Sequence, residues 1–145
     1  MSPGMRDETL LAFDFGMKRI GVAIGELRLG QARDLITIHA EANDARFAAI
    51  EKLLAEWRPG RLIVGRPLND DASPHDMTAR CERFANQLHG RYGLPVEFVD
   101  ERFSSVEADA YLRQRGLDWR QRKSRVDAVA ARIILQNWFD THVPA

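Results

Sequence analysis

Three acidic residues stand in segments where a carboxylate is out of place. Asp14 interrupts the apolar run LLAFDFG, Glu101 follows the segment VEFVD, and Asp127 lies among small and apolar residues in RVDAVAARIIL. A buried carboxylate without a partner is costly or loses its charge, so each acid needs a compensating group. Three converging carboxylates repel one another, and hard divalent cations with oxygen ligands relieve that repulsion. The pattern therefore predicts a site for one or two hard divalent cations.

Each acid taken alone also has a purely structural explanation. A glutamate at a strand end is often solvated, and an aspartate in the first turn of a helix stabilises the helix dipole. Asp127 is less easily explained, because the residues three, four and seven positions later are Ala130, Ala131 and Ile134. On a helix these positions form a small apolar stripe that faces the core. Convergence of all three acids would favour function over structure.

Positive charge is concentrated in one segment near the C-terminus. The chain has 21 Lys and Arg residues against 21 Asp and Glu residues, which argues against a general polyanion binder. Residues 113–125, RQRGLDWRQRKSR, nevertheless contain six cations and one acid. This segment is predicted to contact phosphates, chiefly through Arg122, Lys123 and Arg125. Trp119 within it is positioned to stack on an exposed base or to pack against its own protein, and both readings stay open.

Hydrophobic periodicity predicts the elements that position these residues, in the order βββαβαβαα. Strands are expected over 10–16, 20–25, 32–40, 61–65 and 96–102. Helices are expected behind an Asn43/Asp44 cap, behind Ser73-Pro74, from the capping box at Ser104 to about Arg115, and from about Arg122 to Asp140. A three-strand meander followed by helical crossovers gives a mixed five-stranded α/β sheet with helices on both faces.

Alternation along the first two strands places Asp14 relative to its neighbours. Leu10, Ala12 and Asp14 share one face of the first strand. On the second strand Gly21 and Gly25 leave one face nearly bare of side chains. The bare face leaves room beside an acid or permits close packing of a helix.

Composition excludes several classes of protein. A length of 145 residues predicts one domain over residues 1–145, and 45% apolar residues without a long apolar run argues against a membrane span. The N-terminus lacks the apolar core of a signal peptide, and the single cysteine cannot form an internal disulfide, so a cytoplasmic protein is expected. Cys81 is predicted to lie in the core. The histidines show no metal-binding spacing and are expected on the surface: His39, His75, His89 and His142.

Four motifs, at their order and intervals, resemble one known family. DFGMKRIGVA, GRPLNDDAS, DERFSS and KSRVDAVAARIIL are similar to the YqgF family, the Holliday-junction-resolvase-like pre-16S rRNA nucleases of bacteria. The resemblance covers nearly the whole chain and implies a single nuclease domain with a ribonuclease-H-like fold. It also implies that Asp14, Glu101 and Asp127 are the catalytic, metal-binding acids.

The resemblance further implies which residues contact nucleic acid. The matching positions are Lys18, Arg19, Arg102, the hydroxyl pair Ser104 and Ser105, and Lys123. This chain departs from the family in the loop after the fourth strand, where Gly65-Arg66-Pro67 replaces Gly-Leu-Pro and Asp71-Ala72-Ser73 replaces Asp-Gly-Ser. Arg66 therefore adds a further candidate contact to nucleic acid.

Together with the three acids, the resemblance implies a metal-dependent endonuclease that hydrolyses phosphodiester bonds in structured nucleic acid. The favoured role is processing of the 5′ end of pre-16S rRNA in ribosome biogenesis, by a monomer or homodimer. The expected cofactor is Mg²⁺ or Mn²⁺, with two ions favoured. Two such ions about 4 Å apart would activate water and stabilise the leaving oxygen, with Asp14 as the bridging ligand. In the ribonuclease-H strand order the fifth strand lies two places from the first, roughly 10 Å away, a gap that the longer Glu101 side chain would span.

Three other functions are compatible with parts of the pattern. Cleavage of four-way DNA junctions is the nearest alternative. Actin-like and sugar-kinase ATPases also open with Asp-x-Gly before a second strand, but they close two such domains over a nucleotide, which 145 residues do not accommodate. A non-catalytic nucleic-acid or protein adaptor is disfavoured by retention of all three acids. Metal-dependent cleavage, ATP hydrolysis and binding without turnover would distinguish these functions.

Overall fold

The fold is given by a computed structural model. It describes residues 8–66, 77–100, 110, 113–116 and 119–142, with only the backbone path for 119–124. The strands are β1 (Thr9–Phe15), β2 (Arg19–Glu26), β3 (Gln31–His39), β4 (Arg61–Arg66) and β5 (Val96–Asp100). The helices are α1 (Asn43–Trp57), α2 (Thr78–Tyr92) and α3 (Trp119–His142).

The five strands form one mixed sheet in the order β3-β2-β1-β4-β5. The strands β1, β2 and β3 pair antiparallel, whereas β4 pairs parallel with both β1 and β5. The predicted mixed sheet and its meander are confirmed, and β5 lies two places from β1. Because β1, β4 and β5 run in the same direction, their carboxyl ends meet at one edge of the sheet.

One face of the sheet packs against α1 and α2. Its core contains Leu11 and Phe13 from β1 together with side chains of both helices, namely Phe47, Ile50, Leu53, Cys81, Phe84, Ala85 and Leu88. The ring of Phe84 contacts those of three other phenylalanines: Phe13, Phe15 and Phe47. Cys81 is fully buried here, which confirms its predicted place in the core.

The other face packs against α3. Leu10 and Ala12 of β1 contact a cluster from that helix comprising Ala131, Ile134, Leu135, Trp138 and Phe139. A side chain added at Gly25 would lie 2.7 Å from the Phe139 ring. The nearly bare face of β2 therefore serves close helix packing, and helices cover both faces of the sheet as predicted.

Two predicted helix starts need correction. Helix α1 begins at Asn43 with Ala42 as its N-cap, and no side chain caps it, so Asn43 and Asp44 lie in the first turn instead. Helix α3 begins at Trp119 and not near Arg122, so Trp119 belongs to the helix rather than to a connection. The segment between Gly116 and Asp140 contains no glycine or proline, so nothing in it prevents the helix from extending back to Trp119.

Other predicted boundaries fall partly outside the described residues. The structure does not describe the residues at three predicted boundaries: the helix starts at Ser73-Pro74 and Ser104, and the end of the fifth strand at Arg102. The predicted helix end near Arg115 is consistent with the turn at Gly116, which has φ of 77° and donates its N–H to the Arg113 carbonyl. No helix in the described part of the chain is long and apolar enough to cross a membrane.

Candidate active site at the carboxyl edge of the sheet

Asp14 and Asp127 are brought together through Gly21. Asp14 lies opposite Gly21 in the antiparallel β1–β2 pair, so both residues project to the same face of the sheet, the face covered by α3. A Cβ added at Gly21 would lie 1.9 Å from the backbone oxygen of Asp127. Only glycine permits this approach. The helix therefore places Asp127 directly over the strand position beside Asp14.

An arginine from β2 neutralises one of the two acids. The Arg19 Nε lies 2.9 Å from Asp127 Oδ2, and the Asp127 side chain is 20% exposed. The same Oδ2 atom is buried and has no hydrogen bond of good geometry within the described residues, so the contact is ionic. The Asp127 carboxylate thus keeps a buried oxygen whose hydrogen-bonding capacity is unused.

The turn after Asp14 is fixed from the opposite face by Arg46 of α1. The Arg46 guanidinium is buried and donates hydrogen bonds to the backbone carbonyls of Gly16, Met17 and Ala40. It also lies 5.1 Å from the centre of the Phe15 ring. Burial lowers the pKa of Arg46 from its usual value, and Glu41 opposes that shift. Arg46 thus holds the β1–β2 turn that joins the segment bearing Asp14 to the strand bearing Arg19.

The predicted nucleic-acid contacts have different surroundings. Lys18 is exposed in the β1–β2 turn. Arg66 ends β4, with its guanidinium 5.3 Å from the centre of the Phe98 ring. Arg125 is half exposed, and its Nη2 lies 3.8 Å from Asp34 Oδ2 on β3. Arg66 and Arg125 therefore also make contacts within the protein.

Several predicted site residues lie outside the part of the chain whose side chains the structure describes. Glu101, Arg102, Ser104 and Ser105 lie outside the described residues. Trp119, Arg122 and Lys123 are placed only as backbone positions in the first turns of α3, the helix that carries Asp127. The three described histidines are exposed as predicted: His39, His89 and His142.

The donor set suits a hard divalent cation but is incomplete within the described residues. Asp14 and Asp127 offer carboxylate oxygens, the ligands that Mg²⁺ and Mn²⁺ prefer, and the buried Asp127 Oδ2 lacks a hydrogen bond. No group of three His, Cys, Asp or Glu side chains converges among residues the structure describes. Glu101, which directly follows the last residue of β5, lies beyond those ranges.

The sequence analysis did not single out Arg46. A signal was present, because Arg46 lies one residue before Phe47 and four before Ile50, both on the core-facing stripe of α1. A cation on such a stripe requires buried acceptors. The three carbonyls that it contacts are those acceptors.

Comparison with known proteins gives consistent matches over most of the chain. The family model described as RuvX, Holliday junction resolvase, matches residues 8–141. A Burkholderia cenocepacia protein named "Putative pre-16S rRNA nuclease" is 56% identical over 135 residues, covering 93% of this chain and 91% of that protein. A Burkholderia multivorans protein of the same name matches with the same identity and coverage.

Solved structures support the fold. The RuvC of T. thermophilus in complex with a Holliday junction substrate covers 92% of this chain, and 94% of the RuvC chain is matched, with a TM-score of 0.55 at 17% identity. A second Thermus thermophilus RuvC structure gives a TM-score of 0.51 at 15% identity. The sheet order and these neighbours establish a ribonuclease-H-like fold. With a family model spanning residues 8–141 and relatives at 56% identity, the chain belongs to the RuvX (YqgF) family of Holliday-junction-resolvase-like proteins.

Proposed function

We propose that this protein is a divalent-metal-dependent endonuclease that cleaves phosphodiester bonds in structured nucleic acid. The observation that carries the proposal is the contact of Gly21 with the backbone of Asp127, which brings that backbone over the strand position opposite Asp14 at the carboxyl edge of the sheet. Ligand sites of open α/β sheets gather at that edge. The family membership of the chain supports the same activity.

In this proposal the acids bind metal ions, and the cations position a carboxylate and a substrate phosphate. A bound Mg²⁺ or Mn²⁺ pair would supply an activated water and stabilisation of the leaving oxygen. Asp14, Glu101 and Asp127 would hold the ions. Arg19 holds the Asp127 carboxylate in place, while the exposed Lys18 is free to approach a substrate phosphate.

The favoured substrate is the precursor of 16S rRNA, in line with the names of the 56% identical relatives. A four-way DNA junction is the second candidate, because the matching family model is described as a Holliday junction resolvase. Contacts to phosphates carry little sequence information, so the shape of the nucleic acid is expected to decide between them.

One experiment tests the activity and ranks the substrates. Purified protein is incubated with a structured pre-16S RNA or a four-way DNA junction, in Mg²⁺, in Mn²⁺ and in EDTA. We expect metal-dependent cleavage of the RNA that Asp127→Asn abolishes. The matched control is Asp140→Asn, which changes an exposed acid near the far end of α3 and should cleave like wild type. Absence of cleavage of either substrate, or full activity of Asp127→Asn, would contradict the proposal.

A further inference from the structure

A pocket of about 190 Å³ lies on the other side of the β1–β2 turn from the acids, between the beginnings of α1 and α2. Phe15 and Met17, which flank the turn just after Asp14, form one wall. The remaining lining comes from the two helices and the residues before α1, including Glu41, Arg46, Phe47, Arg80, Arg83 and Phe84. Neither candidate metal ligand of the described residues, Asp14 or Asp127, lines this pocket, although Arg46 contacts both the pocket and the turn.

The pocket carries an excess of positive charge. Three guanidinium groups, those of Arg46, Arg80 and Arg83, line it against the single carboxylate of Glu41. Arg46 is occupied with backbone carbonyls, and Arg80 Nη1 lies 3.3 Å from the Met17 sulfur, a weak acceptor. Within the described ranges neither Arg80 nor Arg83 forms an ion pair with a carboxylate. Two exposed cations are therefore available to an anion.

The other lining residues and the volume of the pocket limit which chemical group can be attached to that anion. Phe15, Phe47 and Phe84 give the pocket an apolar floor, and Asn43 and Gln87 add neutral hydrogen-bonding groups. A volume of about 190 Å³ is below the range of typical small-molecule pockets, roughly 300–1,000 Å³. A phosphate with its attached ribose fits this combination of charge, apolar floor and size.

The position of the pocket favours a phosphate that belongs to a nucleic acid strand. Asp14 and Phe15 are consecutive residues of β1 that face opposite sides of the sheet, so the pocket and the acids are separated by the turn at 16–18 alone. The exposed Lys18 lies in this turn, so a strand that passes from the acids to the pocket would meet a cation on the way.

We propose that this arginine pocket, defined by Arg46, Arg80 and Arg83, binds a backbone phosphate and ribose of the substrate strand beside the cleaved bond. The proposal rests on the proposed nuclease function for its choice of ligand. Arg80 and Arg83 bind the phosphate, and Arg46 supports the turn and adds positive charge to the pocket.

Binding without metal tests the pocket independently of cleavage. The affinity of full-length protein for a fluorescent oligouridine of about 12 nucleotides is measured by anisotropy in EDTA over a range of KCl concentrations. Arg83→Gln and Arg80→Gln should each weaken binding about tenfold. Each should also reduce the slope of log affinity against log salt by about 0.7, because one fewer counterion is released. A merely structural role would leave that slope unchanged.

The matched control is Arg28→Gln, which removes the same charge from an exposed position in the turn between β2 and β3 at the opposite edge of the sheet. It should bind like wild type with an unchanged slope. In cleavage assays Arg83→Gln should raise KM and leave kcat unchanged. If Arg80→Gln and Arg83→Gln bind oligouridine as Arg28→Gln does, while wild type still cleaves, the pocket proposal is overturned and the nuclease proposal stands.

Two further outcomes are informative. The first distinguishes the pocket proposal from the nuclease proposal, and the second distinguishes a phosphate of a nucleic acid strand from a free nucleotide. Salt-dependent binding that needs Arg80 and Arg83, with no cleavage in any metal, would support the pocket and overturn the nuclease function. Uridine monophosphate tests a free nucleotide as occupant. If it raises the Tm of wild type and not of Arg83→Gln, while both bind oligouridine equally, the pocket belongs to a free nucleotide and the strand proposal is overturned.

Discussion

The two faces of the sheet are built by different means. Large side chains fill the space between the sheet and α1 and α2, with Phe84 in contact with three other aromatic rings. On the α3 face, Gly21 lets the helix backbone touch the strand at the end where Asp14 and Asp127 lie. Filling a core with large side chains supplies stability, whereas backbone contact fixes position. Both faces stabilise the fold, since Trp138 and Phe139 of α3 are buried as well, but only the α3 face adds a backbone contact that positions Asp127.

The largest loss of stability is expected on the α1/α2 face. Leu88 is fully buried in the cluster between α2 and the sheet, so Leu88→Ala should lower the free energy of unfolding by about 2–5 kcal/mol. Leu29→Ala is the matched control, because Leu29 is 67% exposed and its truncation should change stability by less than about 0.5 kcal/mol. Urea denaturation measures both. Equal losses would contradict the assignment of stability to this core.

A smaller loss of stability with a large loss of activity is expected at Gly21. In Gly21→Ala the added methyl group meets the Asp127 backbone, so α3 must move, at a cost of about 1–3 kcal/mol. Displacement of Asp127 by about 1 Å should reduce kcat about 100-fold in molecules that remain folded. Nuclease assays below the melting transition measure this separately from unfolding.

The control for Gly21→Ala is the same substitution at Gly90. Gly90 lies within α2, where an added Cβ has nothing within 4 Å. Gly90→Ala should therefore raise stability by about 0.5–1 kcal/mol and leave cleavage unchanged. A Gly21→Ala protein with wild-type activity would contradict the positioning role of the contact between Gly21 and Asp127.

The smallest effect concerns Tyr92 at the end of α2. Burial raises the pKa of Tyr92, Glu51 raises it further, and Arg91 opposes them. The unfolded chain then releases this proton at a lower pH than the folded chain, so the tyrosine contributes full stability below about pH 10 and loses it as the pH rises further. Tyr92→Phe should match wild type near neutral pH and lose less stability above about pH 10.

Denaturant unfolding of both proteins at neutral and strongly alkaline pH checks the Tyr92 effect. The hydroxyl oxygen is buried without a hydrogen-bond partner among the described residues, so its removal should cost little. Identical alkaline loss in the two proteins would show that Tyr92 does not contribute to it.

The sequence predicted on which face of its strand or helix each acid lies better than it predicted the contacts between distant residues. Alternation placed Asp14 on the same face of β1 as Leu10 and Ala12, which is the face that α3 covers. Helical spacing placed Asp127 on the same stripe as Ala130 and Ala131, which are buried. The ion pair of Arg19 with Asp127 and the anchoring of the turn by Arg46 join residues far apart in the chain. No local pattern specifies such pairs. The extension of α3 back to Trp119 was also missed, since helix ends depend on packing as well as on caps.

The central claim is that Asp14 and Asp127 form one divalent-cation site at the carboxyl edge of the sheet. Titration of metal-free protein with Mn²⁺ in a calorimeter tests it most directly, using wild type, Asp14→Asn, Asp127→Asn and Asp140→Asn. We expect wild type and Asp140→Asn to bind Mn²⁺ equally, and each of the other two variants to lose binding. Undiminished Mn²⁺ binding by both Asp14→Asn and Asp127→Asn would contradict the shared site.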